Sequence, residues 1–375
     1  MNASVKPPLV LLAAGGTGGH LFPAESLAVV LQKRGVTIDL ATDVRAAHFK
    51  FPARDVHVFP SATLRGRDPV ALARTALMLT RGTLTAWSVI GRIKPDVVVG
   101  FGGYPTVPPL LAASWRGVPT VLHEQNGVMG RANRLLASRV TAIATGFRVL
   151  NKVDERVRAK LTFTGNPVRP AVIEASKVPY NPPTADGTLR LLVFGGSQGA
   201  RVMSEVVPAA VGKLDAALRG RLHIVQQARP EDIDAVTARY AELGVANSCA
   251  PFFSDLPVRM AAAHLIVSRS GASTVAELSA IGRPGILVPL PHALDQDQLA
   301  NAGVLQEAGG AIRIVQADFT PERLAGEIEG LAAAPARLAA MAEAAKASGT
   351  VDAAERLADV VMKTAGIASL SKTGS

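Results

Sequence analysis

The chain has 375 residues, 48% hydrophobic and 4% aromatic, with one cysteine and a formal net charge of +10 at pH 7. That length supports two domains, each with its own core, and the single Cys249 excludes an internal disulfide, fits a reducing compartment and reads as a buried bystander. The first apolar run follows Pro7-Pro8 and enters a glycine turn, as a first strand does and a secretory signal does not. No uninterrupted run approaches the ~20 apolar residues of a membrane-spanning helix.

In chain order, apolar runs at 8–14, 36–41, 55–59, 96–100, 118–122, 140–144 and 161–164 alternate with longer helix-like segments, one of them at 70–93. Gly165-Asn166-Pro167-Val168-Arg169-Pro170 and Pro179-Tyr180-Asn181-Pro182-Pro183 then mark a boundary rich in turn formers. The alternation resumes with runs at 188–194, 221–226, 249–252, 264–268, 285–290 and 311–315. It closes on an alanine-rich helical stretch, 335–365, and a polar, frayed tail. Short apolar runs between helices predict parallel strands, and hence an α/β protein of two Rossmann-like domains with parallel sheets facing a shared ligand.

The charge is one-sided. Residues 1–165 carry 21 Lys/Arg against 9 Asp/Glu, a balance of +12, whereas the remainder carries 19 against 21. Such asymmetry points to an anionic partner surface. Few aromatics and no recognised binding motif argue against nucleic acid, which leaves anionic lipid. The stretch 70–93 bears on this: it holds Arg74, Arg81 and Arg92, no acid, and Leu77, Leu84 and Trp87 on one helical stripe. It suits either a helix lying in a bilayer interface or one facing the core.

Two glycine-rich turns follow strand-like runs, Gly15-Gly16-Thr17-Gly18-Gly19-His20 and Gly195-Gly196-Ser197-Gln198-Gly199-Ala200. Glycine allows close backbone approach to a ligand, and a helix N-terminus offers N–H groups and partial positive charge to an anion. A dinucleotide fingerprint fits poorly, because Leu21 stands at its sixth position, although Asp39 and Asp43 lie where a ribose-binding acid would sit. His20 at the helix start could act as a general base. Gly100-Phe101-Gly102-Gly103-Tyr104-Pro105 and His123-Glu124-Gln125-Asn126-Gly127 follow two further strands, the latter a set of polar side chains costly to bury without partners. In the second half, Thr274-x-x-Glu277 reads as a capping box or as a phosphate- and ribose-binding helix start. The loop from Pro289 to Gln298 either caps a helix or offers amides and carboxylates to a sugar. No cluster has zinc-ligand spacing.

In this order the motifs Gly-Gly-Thr-Gly-Gly-His (15–20), Gly-Gly-Tyr (102–104), His-Glu-Gln-Asn-Gly (123–127), Gly-Asn-Pro-Val-Arg (165–169), Gly-Gly-Ser-Gln-Gly-Ala-Arg (195–201) and Ser-Arg-Ser-Gly-Ala (268–272) resemble the MurG family. These bacterial transferases add N-acetylglucosamine to the lipid-linked muramyl-pentapeptide precursor of peptidoglycan. The resemblance spans roughly residues 8–365. It implies glycosyltransferase type B architecture, with an acceptor-binding, membrane-associating domain at 1–166 and a UDP-GlcNAc-binding domain at 167–350. A helix within 351–375 would cross back to the first domain.

By position, the resemblance implies that Thr17, Gly18 and Gly19 approach the donor, and that Asn126 contacts its sugar. Arg169 and Ser197 would serve the nucleotide, and the Phe253 backbone would read the uracil. Ala272, Ser273, Thr274 and Glu277 would hold phosphate and ribose, and Gln298 the sugar hydroxyls. Asp297 departs from the family's His or Gln, so its role stays open. The implied reaction is inverting attack of the muramyl C4 hydroxyl on UDP-GlcNAc, with His20 as base and Glu124 as rival. No metal and no cofactor is expected, and backbone N–H groups and a cation would stabilise departing UDP. The expected place of work is the cytoplasmic face of the inner membrane, held peripherally. A UDP-sugar 2-epimerase, an NAD-dependent oxidoreductase and a nucleotide-binding protein without turnover are the alternatives.

Overall fold

A computed structural model describes residues 7–15, 18–45, 49–61, 69–196, 199–291, 293 and 295–367. The chain divides into two units, Met1–Arg169 with Asp352–Ser375, and Pro170–Val351. Each is a parallel sheet with helices on both faces.

The first unit contains β1 (Leu9–Ala13), β2 (Thr37–Thr42), β3 (Asp55–Val58), β4 (Val97–Gly100), β5 (Thr120–Glu124), β6 (Ala142–Thr145) and β7 (Leu161–Phe163), ordered β3-β2-β1-β4-β5-β6-β7. Successive residues of a strand point to opposite faces, so β1 divides between two cores. Val10 and Leu12 pack with Leu27 and Leu31 of the helix Gly18–Lys33 and with Leu357 and Val361 of the helix Ala353–Ala365. Leu11 and Ala13 pack on the other side with Ile90, Leu110 and Leu136. A strand covered on both faces needs no polar alternation, which is why β1 and β4 are apolar throughout. The last helix is also tied to Gly18–Lys33 by Arg34, which pairs with Glu355 and Asp359.

The second unit contains β8 (Leu189–Phe194), β9 (Leu222–Gln227), β10 (Ala246–Ala250), β11 (Leu265–Ser268), β12 (Gly285–Leu287) and β13 (Ala311–Arg313), ordered β10-β9-β8-β11-β12-β13. All thirteen predicted strands form, and the α/β class with two parallel sheets is as expected. Both sheets reverse their winding beside the strand that precedes a glycine turn, between β1 and β4 and between β8 and β11. Open α/β sheets bind ligands at the carboxyl ends of strands at such a point.

Three readings need correction. The stretch 335–365 is two helices, Pro335–Ser348 and Ala353–Ala365, because Gly349 is extended (φ −74°, ψ 152°) and lies so close to a neighbouring helix end that a Cβ there would meet the Ser279 carbonyl at 2.7 Å. The run at 249–252 belongs to a strand beginning at Ala246. This is an edge strand, so its polar Asn247 and Ser248 gave no apolar signal. Cys249 is half-buried rather than buried.

Candidate functional site

In the first unit the loops after β1, β4 and β5 lie side by side, because those strands are neighbours. Gly18 and Gly19 open the helix Gly18–Lys33. A Cβ on Gly18 would come within 2.9 Å of the Phe22 ring, which would have to shift to admit it. His20 follows, half-buried, with Nδ1 3.2 Å from Oε1 of Gln125 in the loop after β5. Gln125 in turn donates Nε2–H to the Phe101 carbonyl, 3.1 Å away after β4. The glycines of that β4 loop border the imidazole. Gly103 has φ +75°, and a Cβ on it would stand 3.4 Å from His20 Nε2.

Glu124 ends β5 and is 2% exposed. Its Oε1 accepts from the Asn126 backbone N–H (2.9 Å) and side-chain amide (3.3 Å), and its Oε2 from the Gly130 N–H (2.9 Å) and Asn133 Nδ2 (2.7 Å). Burial pushes the carboxyl up from its ordinary range, while these four donors favour the ionised form and hold the loop to Gly130 in place. Asn126, half-buried, is positioned by this carboxylate.

His123 is fully buried, and its Nε2–H donates to the Gly165 carbonyl at 3.2 Å, since a carbonyl only accepts. Burial, the largest cause, pushes its pKa down to about 4. The unfolded chain therefore binds a proton near pH 6.5 that the folded chain refuses until about pH 4. Stability conferred by the neutral ring is complete above pH 6.5 and is lost as pH falls through that window, by about 3 kcal/mol at the bottom. His123→Gln keeps a donor for Gly165 and cannot titrate. Denaturant melts of both proteins between pH 4.5 and 7 should show a steeper fall for the wild type, and parallel curves would refute this account.

Arg169 closes the first unit with its guanidinium 4.9 Å over the Phe22 ring, and its charge opposes the burial that raises Glu25. Asp39 and Asp43 are spent elsewhere. Asp39 is fully buried and takes two hydrogen bonds from Arg54 (3.0 and 2.7 Å), with His57 at 3.2 Å; Asp43 pairs with Arg45 at 2.8 Å. Neither acid is available to a dinucleotide ribose.

In the second unit the turn after β8 leads to the helix Arg201–Val211, and the turn after β11 leads to Ala272–Ile281. The residues before these helices, Ala200 and Gly271, provide no side-chain cap, whereas Thr320 and Asp215 cap other helices of the same unit. No cap side chain occupies their first-turn N–H groups, of which the Met203 N–H is taken by the Ala200 carbonyl at 2.9 Å, and such helix starts suit an anion. Gly271 being the cap, Thr274 and Glu277 are the third and sixth helical residues, so the capping-box reading is wrong. Glu277 is 7% exposed one turn further in.

Arg269 braces this edge by donating to the carbonyls of Val288 and Pro289 (3.1 Å each) and to Gln316 (2.6 Å). The Ser270 hydroxyl donates to the Gln298 carbonyl (2.8 Å), and Asn301 donates to that of Ser270 (3.2 Å), locking the turn to the helix Asp297–Glu307. Gln298 accepts through Oε1 from the Leu290 N–H (3.1 Å). Asp297, whose role was open, accepts from the Gln298 N–H at 2.8 Å in the first helical turn, where a carboxylate opposes the helix dipole. Phe253, 8% exposed after β10, lies under the Arg259 guanidinium at 4.3 Å. Gln227 joins the β8 and β10 loops, accepting from the Gly195 N–H and donating to the Pro251 carbonyl.

The structure therefore unites Gly18, Gly19, His20, Glu124 and Asn126 at one sheet edge. It places Phe253, Ala272, Ser273, Thr274, Glu277 and Gln298 along the edge of the other. Thr17 and Ser197 lie outside the described residues. Sequence reasoning gave no role to Gln125, Asn133, Gln227, Arg269 or Asn301. Only Gln125 and Arg269 stood inside quoted motifs. Among the described residues, no group of three His, Cys, Asp or Glu could hold a metal ion, and no helix is long and apolar enough to cross a membrane.

Residues 10–145 match the glycosyltransferase family 28 N-terminal domain, and residues 190–357 its C-terminal domain. A UDP-N-acetylglucosamine–N-acetylmuramyl-(pentapeptide) pyrophosphoryl-undecaprenol N-acetylglucosamine transferase of Rhodopseudomonas palustris is 63% identical over 360 residues, covering 96% of this chain and 98% of that one. The transferase of that name from a Bradyrhizobium is 60% identical over 362 residues, 96% and 99% of the two chains. The crystal structure of Acinetobacter baumannii MurG superimposes with a TM-score of 0.77 at 28% identity, covering 95% of this chain and all of the other.

Proposed function

The chain belongs to glycosyltransferase family 28, within the MurG transferases, and from that premise we infer that it moves N-acetylglucosamine from UDP-GlcNAc to lipid I, forming lipid II for peptidoglycan. The identity of 63% across 96% of the chain carries this reading. The finer roles rest on the geometry of each unit.

The unit Pro170–Val351 binds the donor. The uncapped N-termini after β8 and β11 take the diphosphate, Glu277 the ribose, the Phe253 backbone the uracil and Gln298 the sugar hydroxyls. The other unit binds the acceptor. His20 Nε2 removes the proton of the muramyl C4 hydroxyl as its oxygen attacks the anomeric carbon. The bond from that carbon to the diphosphate breaks, and its electron pair leaves with UDP. Arg169 offers positive charge to the departing anion. Glu124, with both oxygens engaged, serves to shape the loop that carries Asn126 rather than as a rival base. An assay with UDP-GlcNAc and the lipid-linked acceptor should give the β-1,4-linked disaccharide product. Epimerised UDP-sugar, or binding without turnover, would refute the assignment.

Attachment to the cytoplasmic membrane face through the first unit is the second part of the proposal. On the helix Pro69–Ile93, Leu77 and Leu84 are 60% and 65% exposed and Trp87 is 37% exposed, so the stripe is not spent on the core. Arg74, Arg81 and Arg92 are exposed on the same helix, and each cation near an anionic surface is worth ~1 kcal/mol. Replacing all three by glutamate should weaken flotation with phosphatidylglycerol vesicles by on the order of 100-fold, and added salt should weaken the wild type. Equal flotation of both proteins would place attachment elsewhere.

A further inference from the structure

His20, Gln125 and Phe101 form a chain of hydrogen bonds across the carboxyl ends of three adjacent strands, β1, β5 and β4. The direction of each bond follows from its chemistry. The Phe101 carbonyl can only accept, so the amide nitrogen of Gln125 faces it and the amide oxygen is turned to the imidazole. That oxygen also only accepts, so His20 Nδ1 carries the hydrogen. In a neutral imidazole the lone pair then sits on Nε2, the nitrogen beside Gly103.

Gln125 cannot easily turn. It is 4% exposed, and its backbone carbonyl accepts from Asn166 Nδ2 at 2.8 Å, which fixes the main chain that carries the amide. A flipped amide would set two oxygens against each other at Phe101 and two donors against each other whenever Nδ1 is protonated. We propose that Gln125 is a positioning residue that selects the Nδ1–H tautomer of His20 and so directs its basic lone pair to Nε2. This deepens, and for its catalytic consequence rests on, the reading of His20 as the base. When Nε2 receives the acceptor's proton, the resulting Nδ1–H still donates to the Gln125 oxygen, now as a charge-assisted bond.

Several charged and titratable groups among the described residues bear on His20. His123 on β5 feels its charge, and Glu124 beside Gln125 is held by four N–H donors. Along its own helix stand Glu25, facing Arg169, and then Arg34, paired with Glu355 and Asp359 of the last helix. Asp43, after β2, is paired with Arg45.

The test uses Gln125→Leu, which removes the acceptor, and Gln125→Glu, which keeps an oxygen toward Nδ1 but adds charge. Two-bond ¹⁵N–¹H correlation spectra of the full chain, with His20 assigned from His20→Ala, report the tautomer without reference to activity. The wild type should show the Nδ1–H form, and the leucine variant should move toward Nε2–H. An unchanged tautomer in the leucine variant overturns the proposal. In turnover, the leucine variant should lose about 10- to 100-fold in kcat with KM for UDP-GlcNAc nearly unchanged. The glutamate variant should recover part of that loss, with the acidic limb of its kcat profile moved to higher pH. A changed tautomer with intact kcat would overturn instead the reading of His20 as the base, and the double variant His20→Ala/Gln125→Leu should be no slower than His20→Ala alone.

Discussion

Alanine at position 20 should lower kcat by about 10²–10⁴ while affinity for UDP stays close to that of the wild type. The reason is the separation of labour between the units. His20 stands at the first turn after β1, in contact with the β5 loop through Gln125. The groups proposed to hold the nucleotide mostly follow β8, β10, β11 and β12. Removing the imidazole therefore takes away proton transfer and leaves the nucleotide contacts of the second unit whole. Loss of His20 also leaves a small void beside Gly102 and Gly103, so a melting curve should accompany the kinetics. Steady-state turnover at saturating donor, with calorimetric titration of UDP, checks both halves of the expectation. A properly folded variant that loses only a few-fold in kcat would hand deprotonation to water. Because Glu124 takes four N–H bonds and is 2% exposed, Glu124→Gln should differ in kind: a disturbed Asn126 loop and a raised KM, rather than a lost acidic limb in the pH profile.

Central strands such as β1 and β4 were legible because a strand buried on both faces is apolar at every position, and twelve of the thirteen strands overlap closely with the runs read from the sequence. The exception, β10, lies on an edge and is written in Ala-Asn-Ser-Cys-Ala. Helix ends were harder to read. An alanine-rich stretch looks continuous, and only the close approach of Gly349 to the Ser279 backbone shows why it must break. In the candidate site, the motifs marked the loops but not what each side chain does inside them. Thr274 and Glu277 match a capping box by spacing, yet the helix begins at Ala272. Glu124 stood as a rival to His20 for the role of base, and burial and hydrogen bonding separate the two. Gln125 carries no chemistry of its own, so only its neighbours across two strands reveal a purpose. Asp39 shows the converse: its spacing suggested a ribose ligand, and Arg54 and His57 consume it.

Glu277→Ala should weaken UDP-GlcNAc binding by ~1.5–3 kcal/mol, the cost of a lost charge-assisted hydrogen bond, or roughly 10- to 150-fold in Kd. The competing explanation for this carboxylate was local: a capping-box glutamate returns to the N–H of the cap residue and stabilises its helix without touching a ligand. With Gly271 as the cap, Glu277 is the sixth helical residue and stands beyond reach of that role. The helix that bears it starts without a side-chain cap at the switch point of its sheet, where open α/β sheets bind ligands. That placement favours a ligand. Ribose hydroxyls are donors that a carboxylate can accept in pairs, whereas the diphosphate would repel it, so the acid belongs one turn inside the helix and the N–H groups at its start. Glu277→Gln separates charge from shape, because it retains one acceptor and should lose less affinity than alanine. Calorimetry with UDP-GlcNAc and with UDP, beside melting curves for each variant, decides the matter. Donor affinity unchanged in a folded Glu277→Ala protein would remove the ribose role, whatever happened to its melting temperature.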